Sequence, residues 1–302
     1  MRREGGITTN PMNNRIGLMA GWGRYPILVA DGLRQRGYEV YCLGISGHAD
    51  WGLAEHCHDF RFTGLGRMGS HIRYFRRHAV KQVTMAGKIH KVLLFNRHFV
   101  WQHLPDFKSI RTFFPHFITG RQDRRDDTLL TAGVDGYGRS GLEILPATDL
   151  VPELLIKSGR FSGGRLTAKQ RQDIQFGWQL AKQMGGLDVG QSVAVKGQAV
   201  LAVEAVEGTD QCIRRAGTLC KSGGFTVVKV AKPQQDMRFD MPTIGLATLQ
   251  MMVNAGASVL AIEADKTIVV DQPQVVDFAQ RHGIHLVALR NGLGLNELSE
   301  AA

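Results

Sequence analysis

The chain has 302 residues, 43% of them hydrophobic and 21% charged, and a formal net charge of +10. That length suits about two ordinary domains, and the composition excludes a disordered chain. No run approaches the ~18 consecutive apolar residues of a membrane-spanning helix.

In chain order, residues 1–15, "MRREGGITTNPMNNR", read as a loose polar tail and not as a secretory signal. "IGLMAG" is a short apolar strand ending in glycine, and "WGRYPILVADGLRQRG" follows with helical spacing. "YEVYCLGI" is a second buried strand, "RMGSHIRYFRRHA" a helix, and "VKQVTMAG" a strand ending in Ala-Gly. "LLTAGVDGYGRSGLEILPA" gives a further helix and strand. This βαβ grammar predicts a parallel-sheet, Rossmann-like α/β domain over residues 16–150. "LIKSGRFSGGRLTAKQ" is rich in Gly and Ser, so residues 151–165 are expected as a linker. Beyond it, helical "RQDIQFGWQLAKQMGG", strand-like "QSVAVKGQAVLAVEA" and "GFTVVKVAK", and the alternating "SVLAIEADKTIVVD", "QVVDFAQRHG" and "HLVALR" predict a second α/β domain over residues 166–302.

Cys42, Cys57, Cys212 and Cys220 show no CxxC spacing and read as reduced thiols of a cytoplasmic protein. In "HCH", read as extended, His56 and His58 share one face and no second ligand pair stands near, so a zinc site is not expected. The basic excess is concentrated in "HIRYFRRHAVKQ", "GKIHK", "FKSIR" and "GRQDRR", between His71 and Arg125. Such a stripe suits a phosphate-bearing substrate, a nucleic acid or an anionic membrane, or serves solubility alone.

Several positions can carry chemistry. Gly21 and Gly23 follow the first strand as in a G-x-G-x-x-G turn, but Pro26 replaces the third glycine and no ribose-binding acid ends the next strand. A phosphate site and a plain turn both remain open there. Gly87 and Lys88 end another strand, where open α/β sheets bind ligands. Asp126 and Asp127 open a helix, as dipole caps or as magnesium ligands. In "VEGTDQC", Thr209 and Asp210 begin a helix, as caps or beside a phosphate. Lys232 and Asp240 put a cation and an anion on one connection. Pro242 reads as a first helical residue, which sets Asp240 at the mouth of a helix.

Together, "GLMAGWGRYP", "MAGKI", "RRDDTLL", "GLDVGQSVAVKGQAVLAVEAVEGTD", "VVKVAKPQQDMRFDMPTIG" and "IVVDQPQVVDFAQRHGIHLVAL" resemble the LpxI-type UDP-2,3-diacylglucosamine pyrophosphatases of lipid A biosynthesis, from about Ile16 to Leu289. The resemblance implies two linked α/β domains with lipid held between them. It implies magnesium-dependent hydrolysis (manganese substituting) of a lipid-linked nucleotide to UMP and lipid X. It makes Asp240 the residue on which catalysis depends, by binding the metal, the favoured role, or by orienting the water, and makes Thr209 substrate-facing; Thr209 and Asp210 are the further catalytic candidates. Gly21, Gly23, Gly87, Lys88, Asp127, Gln191, Gly208, Lys232, Thr243 and Gly245 are the motif positions expected at the substrate. Trp22 interrupts a glycine turn that is usually Gly-Gly-Gly in the family. The implied setting is the cytoplasmic face of the inner membrane, with transient surface contact, no nucleic-acid partner and room for a homodimer. Trp101, Phe113 and Phe114, set among the basic residues between Lys88 and Arg125, either belong to the core of the first domain or enter the headgroup layer. The competing readings are another nucleotide-dependent enzyme, such as a dehydrogenase or sugar-nucleotide transferase, and a basic nucleic-acid-binding protein.

Overall fold

The computed structural model describes residues 14–89, 103–118 and 126–290. The chain divides into two compact units, Met1–Val151 and Pro152–Ala302.

The first unit is built on five parallel strands: β1 Arg15–Ala20, β2 Glu39–Ile45, β3 Asp59–Thr63, β4 Gln82–Ala86 and β5 Glu143–Leu145. Their order is β3-β2-β1-β4-β5. Central β1 buries Ile16, Leu18 and Ala20 completely, as expected of a strand covered on both faces. The helices are α1 Tyr25–Gln35, α2 Met68–Arg77, α3 Phe107–Ile118, α4 Asp126–Gly138 and the short α5 Ala147–Leu150. On β1, a Cβ at Gly17 would lie 2.7 Å from Phe75 Cε1, so glycine lets α2 rest directly on the strand. The chain steps outward from β1 to β3, then returns to the other side of β1 as β4. The C-terminal ends of β1 and β4 therefore flank the switch point of the sheet.

The second unit holds a mixed six-stranded sheet in the order β6-β13-β11-β9-β7-β8. Its strands are β6 Gly159–Ser162, β7 Ser192–Lys196, β8 Ala199–Val203, β9 Phe225–Lys229, β11 Ala257–Glu263 and β13 His285–Leu289. β9, β11 and β13 run parallel, whereas β6, β7 and β8 pair antiparallel. Side chains alternate across the sheet. Val193, Val195, Val228, Val259, Ala261 and Val287 pack with Ile174 and Trp178 of α6 Ala168–Gly186. Ala194, Val227, Leu260, Ile262 and Leu286 pack with Ile213, Leu249 and Phe278. Those three belong to α7 Thr209–Leu219, α8 Leu246–Ala255 and α9 Gln272–Arg281.

Two local expectations change. The Gly/Ser stretch is not a structureless connection: Gly159–Ser162 is the edge strand β6, paired with β13. Its identity as a strand comes from that distant partner and not from its own composition. The helix also does not start at Pro242. Thr243–Ile244 forms β10, parallel to β12 Ile268–Val269, and the Ile268 amide donates to the Pro242 carbonyl at 2.9 Å. Sheet pairing takes the residues that proline would otherwise lead into a helix, and α8 begins at Leu246 with extended Gly245 as its N-cap.

Candidate functional site

In the first unit, the two glycine turns at the switch point lie against each other. Trp22 and Lys88 exchange backbone hydrogen bonds of 2.8 and 3.0 Å, and the Gly21 amide donates to the Ala86 carbonyl at 2.8 Å. A Cβ at Gly21 would sit 2.6 Å from the Lys88 carbonyl. Gly87 has φ +96°, and its Cβ would lie 2.7 Å from the Gly21 carbonyl carbon. The close approach of these two loops is thus sufficient reason for both glycines, with no diphosphate required. Gly23 has φ +103° and open space where a Cβ would point. The side chains of Trp22 and Lys88 are exposed. Asp126 and Asp127 begin α4, and their side chains lie outside the described residues.

In the second unit, the polar groups gather where β8 and β9 end and β7 begins. Thr209 Oγ1 donates to Glu204 Oε1 at 2.9 Å and accepts from Lys229 Nζ at 2.8 Å, with Ser192 Oγ at 3.5 Å. Glu204, Lys229 and Ser192 are all buried. Thr209 therefore does not cap α7. Gly208, at φ 82°, is the N-cap and no side-chain cap bond is made, because the threonine hydroxyl is drawn to the buried side chains of Glu204 and Lys229. Asp210 stands exposed in the first turn. Glu204 Oε2 and Gln191 Oε1 are buried acceptors without a hydrogen-bond partner among the described residues. Buried acceptors of that kind call for a donor or a water.

One strand further, Glu263 at the end of β11 accepts from Lys182 Nζ at 2.6 Å and from the Ala231 amide at 2.8 Å. Lys266 Nζ stands 3.1 Å from its other oxygen. This knot on the buried Glu263 carboxylate fixes the backbone as it leaves β9 and so aims the next residue, Lys232. The Lys232 ammonium donates to Asp188 Oδ1 at 2.7 Å and faces Asp240 Oδ2 at 3.9 Å. Asp236 is bound by the Arg238 guanidinium, whose hydrogen bonds hold its carboxyl below the usual carboxylate range. The Asp240 amide donates to the Asp236 carbonyl at 3.0 Å, so a turn and not a helix mouth presents this half-exposed carboxylate. Downstream, the Thr243 hydroxyl is spent on the Met241 carbonyl at 3.0 Å.

The structure thus brings Lys232 together with Asp240, and Thr209 together with Lys229. Sequence reasoning overlooked Glu204, Lys229, Ser192 and Asp188. A lysine ending the apolar strand "FTVVK" and a glutamate just past β8 were the available signals. His56 closes a 3₁₀ turn, Trp51–His56, instead of lying in an extended segment, and bonds Asp31 Oδ1 at 2.6 Å. Among the described residues, no three His, Cys, Asp or Glu side chains are grouped as a metal cage.

Family models describe the two halves of this geometry in turn: LpxI N-terminal domain matches residues 15–154 and LpxI C-terminal domain matches residues 157–287. The chain belongs to the LpxI family. A relative from Caulobacter vibrioides, UDP-2,3-diacylglucosamine pyrophosphatase LpxI, is 28% identical over 282 residues, which cover 91% of this chain and 97% of the relative. No helix among the described residues is long and apolar enough to cross a membrane.

Proposed function

We propose that the protein hydrolyses the diphosphate of UDP-2,3-diacylglucosamine, giving UMP and 2,3-diacylglucosamine 1-phosphate (lipid X) in lipid A synthesis. Family membership supports the reaction class. The observation that carries the site assignment is the pairing of Asp240 with Lys232 at 3.9 Å. That distance is an ion pair but too long for a hydrogen bond, whereas Asp188 and Asp236 are each engaged at hydrogen-bond range.

Diphosphate hydrolysis must neutralise charge on the non-bridging oxygens and place one water in line with the leaving group. Lys232 and Lys229, on one connection from β9, supply fixed positive charge. Lys232 is steadied from behind by Asp188, and Lys229 by the Thr209–Glu204 pair. A single carboxylate plus substrate phosphates is a normal way to hold magnesium, and Asp240 fits that mode; among the described residues no cage of three such ligands is grouped. When bound there, magnesium or manganese would supply neutralisation of the developing phosphate charge. In this reading Asp240 contributes one ligand, and attack occurs at the phosphorus on the sugar side, so that UMP leaves.

Incubation with UDP-2,3-diacylglucosamine in mixed micelles with magnesium tests the proposal. UMP and lipid X should appear together in equal amounts. Release of uridine or UDP instead, or no turnover by folded protein, would reject it.

A further inference from the structure

The first unit carries a feature that this chemistry leaves unused. Where β3 ends, the loop into α2 is tied to the stretch leading into α3. The Leu65 amide donates to His103 Nδ1 at 2.8 Å. Ser109 Oγ donates to the Gly66 carbonyl at 2.6 Å and accepts from the Met68 amide at 3.1 Å. Asp106 accepts from the amides of Gly69 (2.7 Å), Ser70 (3.2 Å) and Ser109 (3.0 Å). A Cβ on Gly66 would collide with the His103 carbonyl, so the two stretches meet backbone to backbone.

This firm base presents apolar side chains to solvent. Leu65, Leu104, Phe107 and Ile110 are exposed, Phe107 at 79%. Arg67, Lys108 and Arg111 are exposed on the same two stretches. The single acid in residues 64–71 and 103–112 is Asp106, whose carboxylate is turned to backbone amides. Large apolar side chains left in water forgo the free energy that burial would give, so such a cluster marks an interaction surface. Exposed apolar side chains interspersed with cations, with the one acid of these two stretches turned to backbone amides, complement an anionic interface with a hydrocarbon interior. Of the aromatics expected from sequence, Phe113 is half-buried, and Trp101 and the Phe114 side chain lie outside the described residues.

We propose that Leu65, Leu104, Phe107 and Ile110, with Arg67, Lys108 and Arg111, dock the protein on an anionic lipid bilayer. The inference rests on the functional reading only in that a diacylated substrate resides in such a bilayer; the binding is measurable without catalysis.

The test is co-sedimentation of the full chain with vesicles of phosphatidylcholine alone or with about a third phosphatidylglycerol. Wild type should bind the anionic vesicles, bind neutral ones weakly, and release with salt. Lys108→Gln/Arg111→Gln should weaken binding about fivefold for each cation lost, the ~1 kcal/mol of one basic side chain at such a surface. Phe107→Ser/Ile110→Ser should weaken it on the order of tenfold with an unchanged melting temperature. No binding by wild type, equal binding to both vesicle types, or two folded variants that bind like wild type would each overturn the proposal. So would a wild-type dimer that Phe107→Ser/Ile110→Ser converts to monomer, because the face would then belong to a second copy. Vesicle binding without hydrolysis in micelles would remove the functional reading and leave this one standing.

Discussion

The Thr209 hydroxyl is held between a buried cation and a buried anion, accepting from Lys229 Nζ at 2.8 Å and donating to Glu204 Oε1 at 2.9 Å. Its one proton is already committed, so at this corner Thr209 offers a substrate a lone pair and not a donor. Any donation to a phosphate there falls to Lys229 or to the amides that open α7. Thr209→Val should leave both charges short of a partner and destabilise the fold by about 1–3 kcal/mol in urea titration. Thr209→Ser, which keeps the hydroxyl, should stay near wild type. A valine variant as stable as wild type would show that the triad carries no load.

For Asp240, the expectation is a loss of turnover with the fold intact. Asp240→Asn removes the charge beside Lys232 while keeping size, and kcat should fall by well over tenfold, each factor of ten being ~1.4 kcal/mol of barrier. Substrate affinity should fall much less. Single-turnover kinetics and equilibrium binding separate the two, and a variant keeping more than about a tenth of the wild-type rate excludes Asp240 from the chemistry.

Chelation distinguishes a metal-assisted mechanism from one run by the two lysines alone. The donors at this site are carboxylate oxygens, which suit hard cations. Exhaustive treatment with a chelator should abolish hydrolysis, and magnesium or manganese should restore it. Undiminished activity in the treated protein would assign charge neutralisation to Lys229 and Lys232.

His71 should make the protein acid-sensitive. It is fully buried, bonded to the Tyr137 hydroxyl at 2.7 Å and within 3.0 Å of both the Thr63 hydroxyl and the Gly64 carbonyl. Burial lowers its pKa to about 4. An unfolded histidine takes up a proton near pH 6.5, which the folded one refuses until about pH 4. The stability that comes from keeping His71 neutral is therefore complete above pH 6.5 and is lost as the pH falls toward 4, on the order of 3 kcal/mol in all. Urea titrations at pH 7.5, 6 and 5 should show that decline, and His71→Gln should flatten it. An identical pH slope in wild type and variant would place the acid sensitivity elsewhere.

Periodicity and punctuation along the chain were enough to read β1, α1, β2, α2 and β4, because each buries a face its own residues define. The mixed sheet was half legible: "SVAVKGQAVLAV" shows strands, and Gly197 and Gln198, both at positive φ, form the tight turn that joins them. Asp240, Lys232 and Thr209 could be singled out because turn residues and charges interrupt apolar patterns there. What each side chain touches could not be read so. Gly159–Ser162 becomes a strand through β13, Pro242 precedes a strand through β12, and Thr209 turns from its own helix toward Lys229. Each outcome is a competition between a local preference worth about 1 kcal/mol and a long-range hydrogen bond or ion pair that the interior cannot leave unmade. The sequence by itself determined most of the elements, the charge and the family. Only the tertiary structure decided which carboxylate faces Lys232, which hydroxyl is already spent, and which apolar side chains stay in water, because those depend on partners remote along the chain.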